Sequence, residues 1–170
     1  MSVNTLNTDN KIVAFTGHRT YRGVADRQLR EVVIHLYEQG ARTFRVGMAE
    51  GFDLHAAEVV IALREHHPDI TLEAYIPWPE FSRHFEPTER TRYEQIMREV
   101  TIIRYTACNY NPEVFRHRND MLVDGANVLV AWCQRKRSGT GYTVSRAKRL
   151  GCMVINLCEA GLFDTAQHPF

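Results

Sequence analysis

Residues 43–63 read TFRVGMAEGFDLHAAEVVIAL, and the change of pattern within them decides the fold. Thr43 to Gly47 is a short apolar run of strand length. From Phe52 onward the apolar residues Phe52, Ala56, Val59, Val60 and Leu63 recur at helical spacing. Between the two patterns lie Gly47 and Gly51 around the small Ala49. A strand running through a glycine-rich turn into a helix is half of a βαβ unit.

The unit repeats on both sides of this stretch. Strand-like runs occur at Lys11 to Thr16, Thr71 to Ile76, Thr101 to Tyr105, Val128 to Trp132 and Met153 to Leu157. Leu29, Val32, Val33 and Leu36 follow i, i+3, i+4, i+7 in the first intervening segment, and Tyr93, Ile96, Met97 and Val100 mark the third. Further helices are expected over Glu113 to Asp124 and Thr140 to Leu150. Gly40 and Gly151 stand where helices end before strands, and Pro68 closes the second helix. Alternation of this kind predicts an α/β, Rossmann-like fold, a mostly parallel sheet with helices on both faces. The continuous run Val128 to Trp132 suits a strand buried on both sides.

With 170 residues, 44% apolar and 24% charged, the chain has ordinary globular composition. We read 11–158 as a single domain, with loosely held ends at 1–10 and 159–170. The net charge of +1 argues against extended binding to nucleic acid or an anionic membrane. Cys108, Cys133, Cys152 and Cys158 form no CxxC pair, so no structural zinc site is expected. The polar start and the lack of an apolar run near ~20 residues predict neither a secretory signal nor a membrane span. A reduced, cytoplasmic protein follows, with no metal or cofactor implied.

Ligands of such sheets bind outside the carboxyl ends of the strands. After the first strand come Thr16, Gly17, His18 and Arg19, a glycine for close approach and an arginine for a phosphate or carboxylate. After the second, Gly47, Ala49 and Gly51 offer backbone amides at a helix N-terminus, a plausible phosphate cradle. Glu50 and Asp53 in the same turn would repel an anion. They suit ribose hydroxyls, and Asp53 equally suits a helix cap. After the fifth strand the basic run Arg135-Lys136-Arg137 precedes Ser138, Gly139, Thr140 and Thr143, a second phosphate-type turn. Arg118 and Asn119, early on the fourth helix, can reach the same edge. Trp78 reads either as a base-stacking platform or, more commonly for such a residue, as lid packing. Neither a P-loop nor a GxGxxG pattern is present.

Taken in order, these motifs resemble the SLOG superfamily, which includes the DprA and lonely-guy proteins, and within it the YpsA-like branch of small bacterial and phage proteins. The resemblance spans about Lys11 to Leu157. It implies a Rossmann-like fold, a nucleotide or nucleotide-derived ligand at the strand ends, and Gly47, Gly51 and Asp53 in the site. Dimerisation is common among such relatives, which makes a homodimer a candidate assembly. Lonely-guy enzymes cleave nucleoside monophosphates at the N-glycosidic bond. Their pattern is matched at Arg118 and at Gly139-Thr140. Asn119 stands where they carry lysine, and Tyr142 where they carry a glutamate.

Three functions are thus in play. The first is a sensor or ligand-binding domain for a nucleotide-derived small molecule. The second is a nucleotide-processing enzyme, with Glu50, Asp53 and Arg118 as catalytic candidates. The third, disfavoured by the neutral charge, is a single-strand nucleic-acid module.

Overall fold

The structure is a computed structural model that describes residues 10–159. The chain alternates as predicted: β1 (Lys11–Gly17), α1 (Asp26–Glu38), β2 (Ala41–Val46), α2 (Phe52–Arg64), β3 (Thr71–Ile76), α3 (Pro87–Glu99), β4 (Ile102–Tyr105), α4 (Val114–Val123), β5 (Val128–Trp132), α5 (Gly139–Arg149) and β6 (Met153–Asn156). The ends expected to be loosely held lie, apart from Asn10 and Glu159, outside the described residues.

All six strands pair in parallel, in the order β4-β3-β2-β1-β5-β6. Alternate residues of the central strands point to opposite faces. Val13, Phe15, Val128 and Val130 pack with Leu29, Val33, Phe52, Val60 and Ile96, so α1, α2 and α3 cover one face. Ala14 and Leu129 pack with Leu122, Val123 and Ala147, so α4 and α5 cover the other. β5 is buried along its whole length, as its unbroken apolar run requires.

The helices end where the sequence supplies a stop. Gly40 and Gly151 both adopt positive φ, 100° and 78°, just past α1 and α5. Pro87 opens α3 at the position where a missing amide hydrogen costs nothing. α2 stops at Arg64, short of Pro68. One element has no periodic signal: a single 3-10 turn, Phe81–His84, before α3. It forms because Phe81 is buried against Trp78, Phe85 and Phe115. An aromatic cluster drawn from three segments is invisible to local pattern.

β1 and α2 approach each other closely at Gly17. A Cβ on Gly17 would lie 2.3 Å from the Phe52 ring. Gly17→Ala is therefore expected to lower unfolding free energy by ~1–3 kcal/mol, read as a shifted denaturation midpoint at unchanged slope.

Candidate functional site

β1 is flanked by β2 on one side and β5 on the other, and the helices leaving those neighbours depart to opposite faces. A cleft of about 310 Å³ opens between them at the carboxyl ends of the strands. Thr16, Gly17, His18 and Arg19 form its floor and one wall. Arg118 and Asn119 enter from α4, with Phe115 one turn earlier. Arg135, Ser138, Gly139 and Thr140 close it from the β5–α5 turn, and Ala49 and Asp53 reach it from the β2–α2 turn.

The β5–α5 turn is built to present amides. Ser138 caps α5: its Oγ accepts from the Gly141 amide at 3.0 Å and donates to the Arg135 carbonyl at 2.7 Å. The Tyr142 amide donates to the Ser138 carbonyl. The first-turn amides of Gly139 and Thr140 have no carbonyl inside the helix to bond, so they are donors available at the cleft, reinforced by the helix dipole. The Ser138 side chain is thus already engaged. Thr143 does not line the cleft: it is fully buried and donates to the Gly139 carbonyl at 3.0 Å.

His18 works as a strut. Its Nε2 accepts from the amides of Gln134 and Arg135, at 2.9 and 3.2 Å, so the ring is neutral with its proton on Nδ1. Burial, and then the nearby Arg135 charge, hold its pKa below the ordinary value. The edge of its ring meets Trp132 at a centroid distance of 5.8 Å.

The β2–α2 turn differs from its sequence reading. The expected anion cradle is filled by the chain's own carboxylates. The Ala49 amide donates to Asp53 Oδ2 at 3.1 Å, and the Gly51 amide to Glu89 Oε2 at 3.1 Å. Asp53 is not the helix cap; that position belongs to Gly51, at φ 80°. Gly51 is required there also because a Cβ would lie 2.5 Å from the Arg19 carbonyl oxygen. Glu50 is turned away from the cleft and accepts from the Glu86 amide at 2.8 Å. Glu86 and Glu89 arrive from a distant helix, so no local reading of residues 47–53 could have found these partners.

Asp53 and Arg118 are both 5% exposed. Arg118 donates from Nη1 to the Gly47 carbonyl and from Nε to Asn119 Oδ1 at 2.9 Å. Burial pushes the Asp53 carboxyl up to about 6; the Arg118 charge, the Ala49 amide and Arg19 oppose that rise. Burial likewise draws Arg118 down to about 10, against the attraction of Asp53. Asp53 is the only carboxylate among the residues lining the cleft, against three arginines: Arg19, Arg118 and Arg135.

Phe115 was not singled out by sequence. It presents its ring to the cleft beneath the Arg19 guanidinium, 5.3 Å from the centroid, and supports Trp78 and Phe81 behind. Trp78 packs among Phe81, Tyr110 and Phe115 and does not line the cleft. Tyr142 donates to Asp120 at 2.7 Å and stands outside the cleft as well. Among the described residues no group of histidine, cysteine or carboxylate side chains could hold a metal ion. No helix among them is long and apolar enough to cross a membrane.

Residues 10–151 match the model of the YspA SLOG family. A UPF0398 protein of Halalkalibacterium halodurans is 26% identical over 153 residues, covering 82% of this chain and 81% of its own length. A UPF0398 protein of Bacillus cereus is 24% identical over 155 residues, with 83% and 84% covered. Among solved structures, DNA processing protein A (DprA) from Streptococcus pneumoniae superposes with a TM-score of 0.63 at 19% identity; the match covers 95% of this chain and 56% of that one. DprA from Helicobacter pylori, whose structure is described in terms of its single-stranded DNA binding mode, superposes at 0.61 and 18% identity, covering 89% and 66%. These two likenesses concern the fold, and the chain spans only part of each DprA.

The buried titrating groups set a pH signature. Asp53 has a raised folded pKa, so the folded state holds its proton to higher pH than the unfolded chain. Its contribution to stability therefore falls as pH rises from 3.8 to about 6, and the cost is complete above that. Asp53→Asn, which keeps an acceptor for the Ala49 amide, should abolish this slope in the pH dependence of the melting temperature, while leaving the buried Arg118 without its countercharge. His18, with a lowered pKa, costs stability as pH falls below 6.5. That second slope should persist in the Asp53→Asn protein and show in its melting temperature across the same range.

Proposed function

The chain belongs to the YspA SLOG family, and from that premise we propose that its cleft binds a nucleotide or nucleotide-derived small molecule as a sensor or ligand-binding domain. The observation that carries this reading is the pairing of two features on one crevice: free first-turn amides at Gly139 and Thr140, and three arginines around them. Amides at a helix N-terminus and flanking guanidinium groups form a phosphate site. Gly139 supports the same reading, because a Cβ there would meet nothing closer than Asn119 Nδ2 at 4.0 Å. The fold does not need that position bare, whereas a ligand drawn close to the backbone would.

Phosphate on this turn leaves the apolar face of Phe115 for a base, and Thr16, Asn119 and Asp53 for ribose hydroxyls. Binding is favoured over cleavage by the carboxylates. Glu50 is committed to the Glu86 amide, and Tyr142 occupies the place of the lonely-guy glutamate while bonded to Asp120. Asp53 alone is left beside the ligand, with Arg118 as the charge that would steady it.

A second reading is single-strand nucleic-acid binding. It is favoured by the likeness to DprA and by the exposed Arg135, Lys136 and Arg137 at the mouth of the cleft. The phosphate turn would then take one backbone phosphate of a longer strand. Such binding weakens steeply with salt, in proportion to the phosphates contacted.

The deciding experiment incubates the protein with nucleoside mono-, di- and triphosphates, cyclic nucleotides and nucleotide sugars. Melting temperature and products by mass spectrometry are read together. The expected result is a raised melting temperature with an unchanged ligand. Arg19→Gln and Arg135→Gln should each weaken that ligand by about tenfold, as loss of a charge-assisted bond does, while leaving the free protein's melting temperature within a degree or two. Gly139→Ala should do the same through bulk. Release of base or phosphate moves the assignment to an enzyme. Salt-sensitive binding of single strands, lost when Arg135, Lys136 and Arg137 are neutralised, moves it to the second reading. No response to any nucleotide or strand overturns both.

A further inference from the structure

Beside the cleft, the carboxyl ends of β5 and β6 bring two cysteines together. The strand register pairs Ala131 with Asn156, and Cys133 and Cys158 each stand two residues beyond that pair. The Asn156 carboxamide holds both. Its Nδ2 donates to the Cys133 carbonyl at 3.0 Å, and its Oδ1 accepts from the amides of Cys133 and Cys158, at 3.1 and 3.2 Å. Two amides bonded to one oxygen, at 3.1 and 3.2 Å, bring the two cysteine backbones to the scale of about 4.4–6.8 Å that a disulfide spans between Cα atoms. Both cysteines are half-buried and carry free thiols. Cys108 is exposed after β4, and Cys152 is buried before β6.

We propose that Cys133 and Cys158 form a reversible oxidation site that closes to an intrachain disulfide when the protein meets a peroxide. The Cys133 thiolate attacks one peroxide oxygen and becomes a sulfenic acid, and the other oxygen leaves as hydroxide. The Cys158 thiolate then attacks the sulfenic sulfur; the S–S bond forms and a second hydroxide leaves. The two thiol protons convert these hydroxides to water, so two thiols are oxidised as one peroxide is reduced to two waters. Cys133 takes the first step because Arg135 and Lys148 lie near its sulfur, whereas Glu159 lies near that of Cys158. Burial raises both thiols above the ordinary value, so the reaction quickens as pH rises.

The pair is wired to the cleft. Reduced Cys133 donates from Sγ to the Arg135 carbonyl at 3.4 Å. The same short turn carries Arg135 into the cleft and supplies the two amides that hold His18. Disulfide formation removes that thiol donor and weakens anion binding. This consequence rests on the ligand reading above; the disulfide itself does not.

The test treats reduced full-length protein with hydrogen peroxide at neutral and mildly alkaline pH, blocks remaining thiols with an alkylating agent and maps peptides by mass spectrometry. The expected result is one linked pair, Cys133 to Cys158, with Cys108 and Cys152 alkylated. It should form several-fold faster at the higher pH and be reversed by dithiothreitol. Cys158→Ser should leave a sulfenic acid at Cys133 that dimedone captures, and Cys133→Ser should form no link. Recovery of Cys133 and Cys158 as alkylated thiols in the peroxide-treated wild-type protein overturns the proposal, as does cross-linking through Cys108 alone. These readouts need no ligand, so failure of the nucleotide reading leaves them intact. A linked protein whose nucleotide-induced melting shift is unchanged overturns the coupling to the cleft.

Discussion

An open parallel sheet buries both of its faces only if its helices divide between them, and the point where the chain changes faces is beside β1. β2 and β5 flank that strand, and α2 and α5 leave them in opposite directions. The resulting crevice cannot be filled by either helix. Turns that meet there must satisfy their own backbone groups or leave them for a ligand. The two turns resolve this differently. The one before α2 is closed by the carboxylates of Asp53 and Glu89, and the one before α5 keeps the Gly139 and Thr140 amides open.

Closing the first turn has an electrostatic consequence. Asp53 and Arg118 are held almost out of solvent, where each alone would be costly. Arg118 spends its donors on the Gly47 carbonyl and Asn119, which ties α4 to the β2–α2 turn across the crevice. The same contacts fix a positive charge beside an open row of amides. Burial raises the Asp53 carboxyl, so its ionised form is costly at neutral pH and leans on the Arg118 charge and the Ala49 amide. His18 does the corresponding work on the opposite side by gripping the Gln134 and Arg135 amides.

Much of this was legible in the chain itself. Six strands and five helices follow from apolar spacing, and the stops at Gly40 and Gly151 from the φ that only glycine adopts easily. The turns at Thr16 to Arg19 and Ser138 to Thr140 stand out because strand length and glycine position are local properties. Phe115, the Phe81 turn and the partners of Glu50 do not stand out. Their roles depend on residues tens of positions away, and no periodicity records them.

The sequence by itself determined the alternation of elements, the parallel sheet and the edge at which ligands meet it, because hydrophobic period and turn chemistry act over a few residues. Tertiary structure alone decided which polar groups at that edge are spent and which are free. A hydrogen bond such as Gly51 to Glu89, or one asparagine holding Cys133 and Cys158, is set by where distant segments land once the core has packed. Burial, which moves the Asp53 and His18 protonation equilibria, is likewise a property of the assembled fold and of no segment in it.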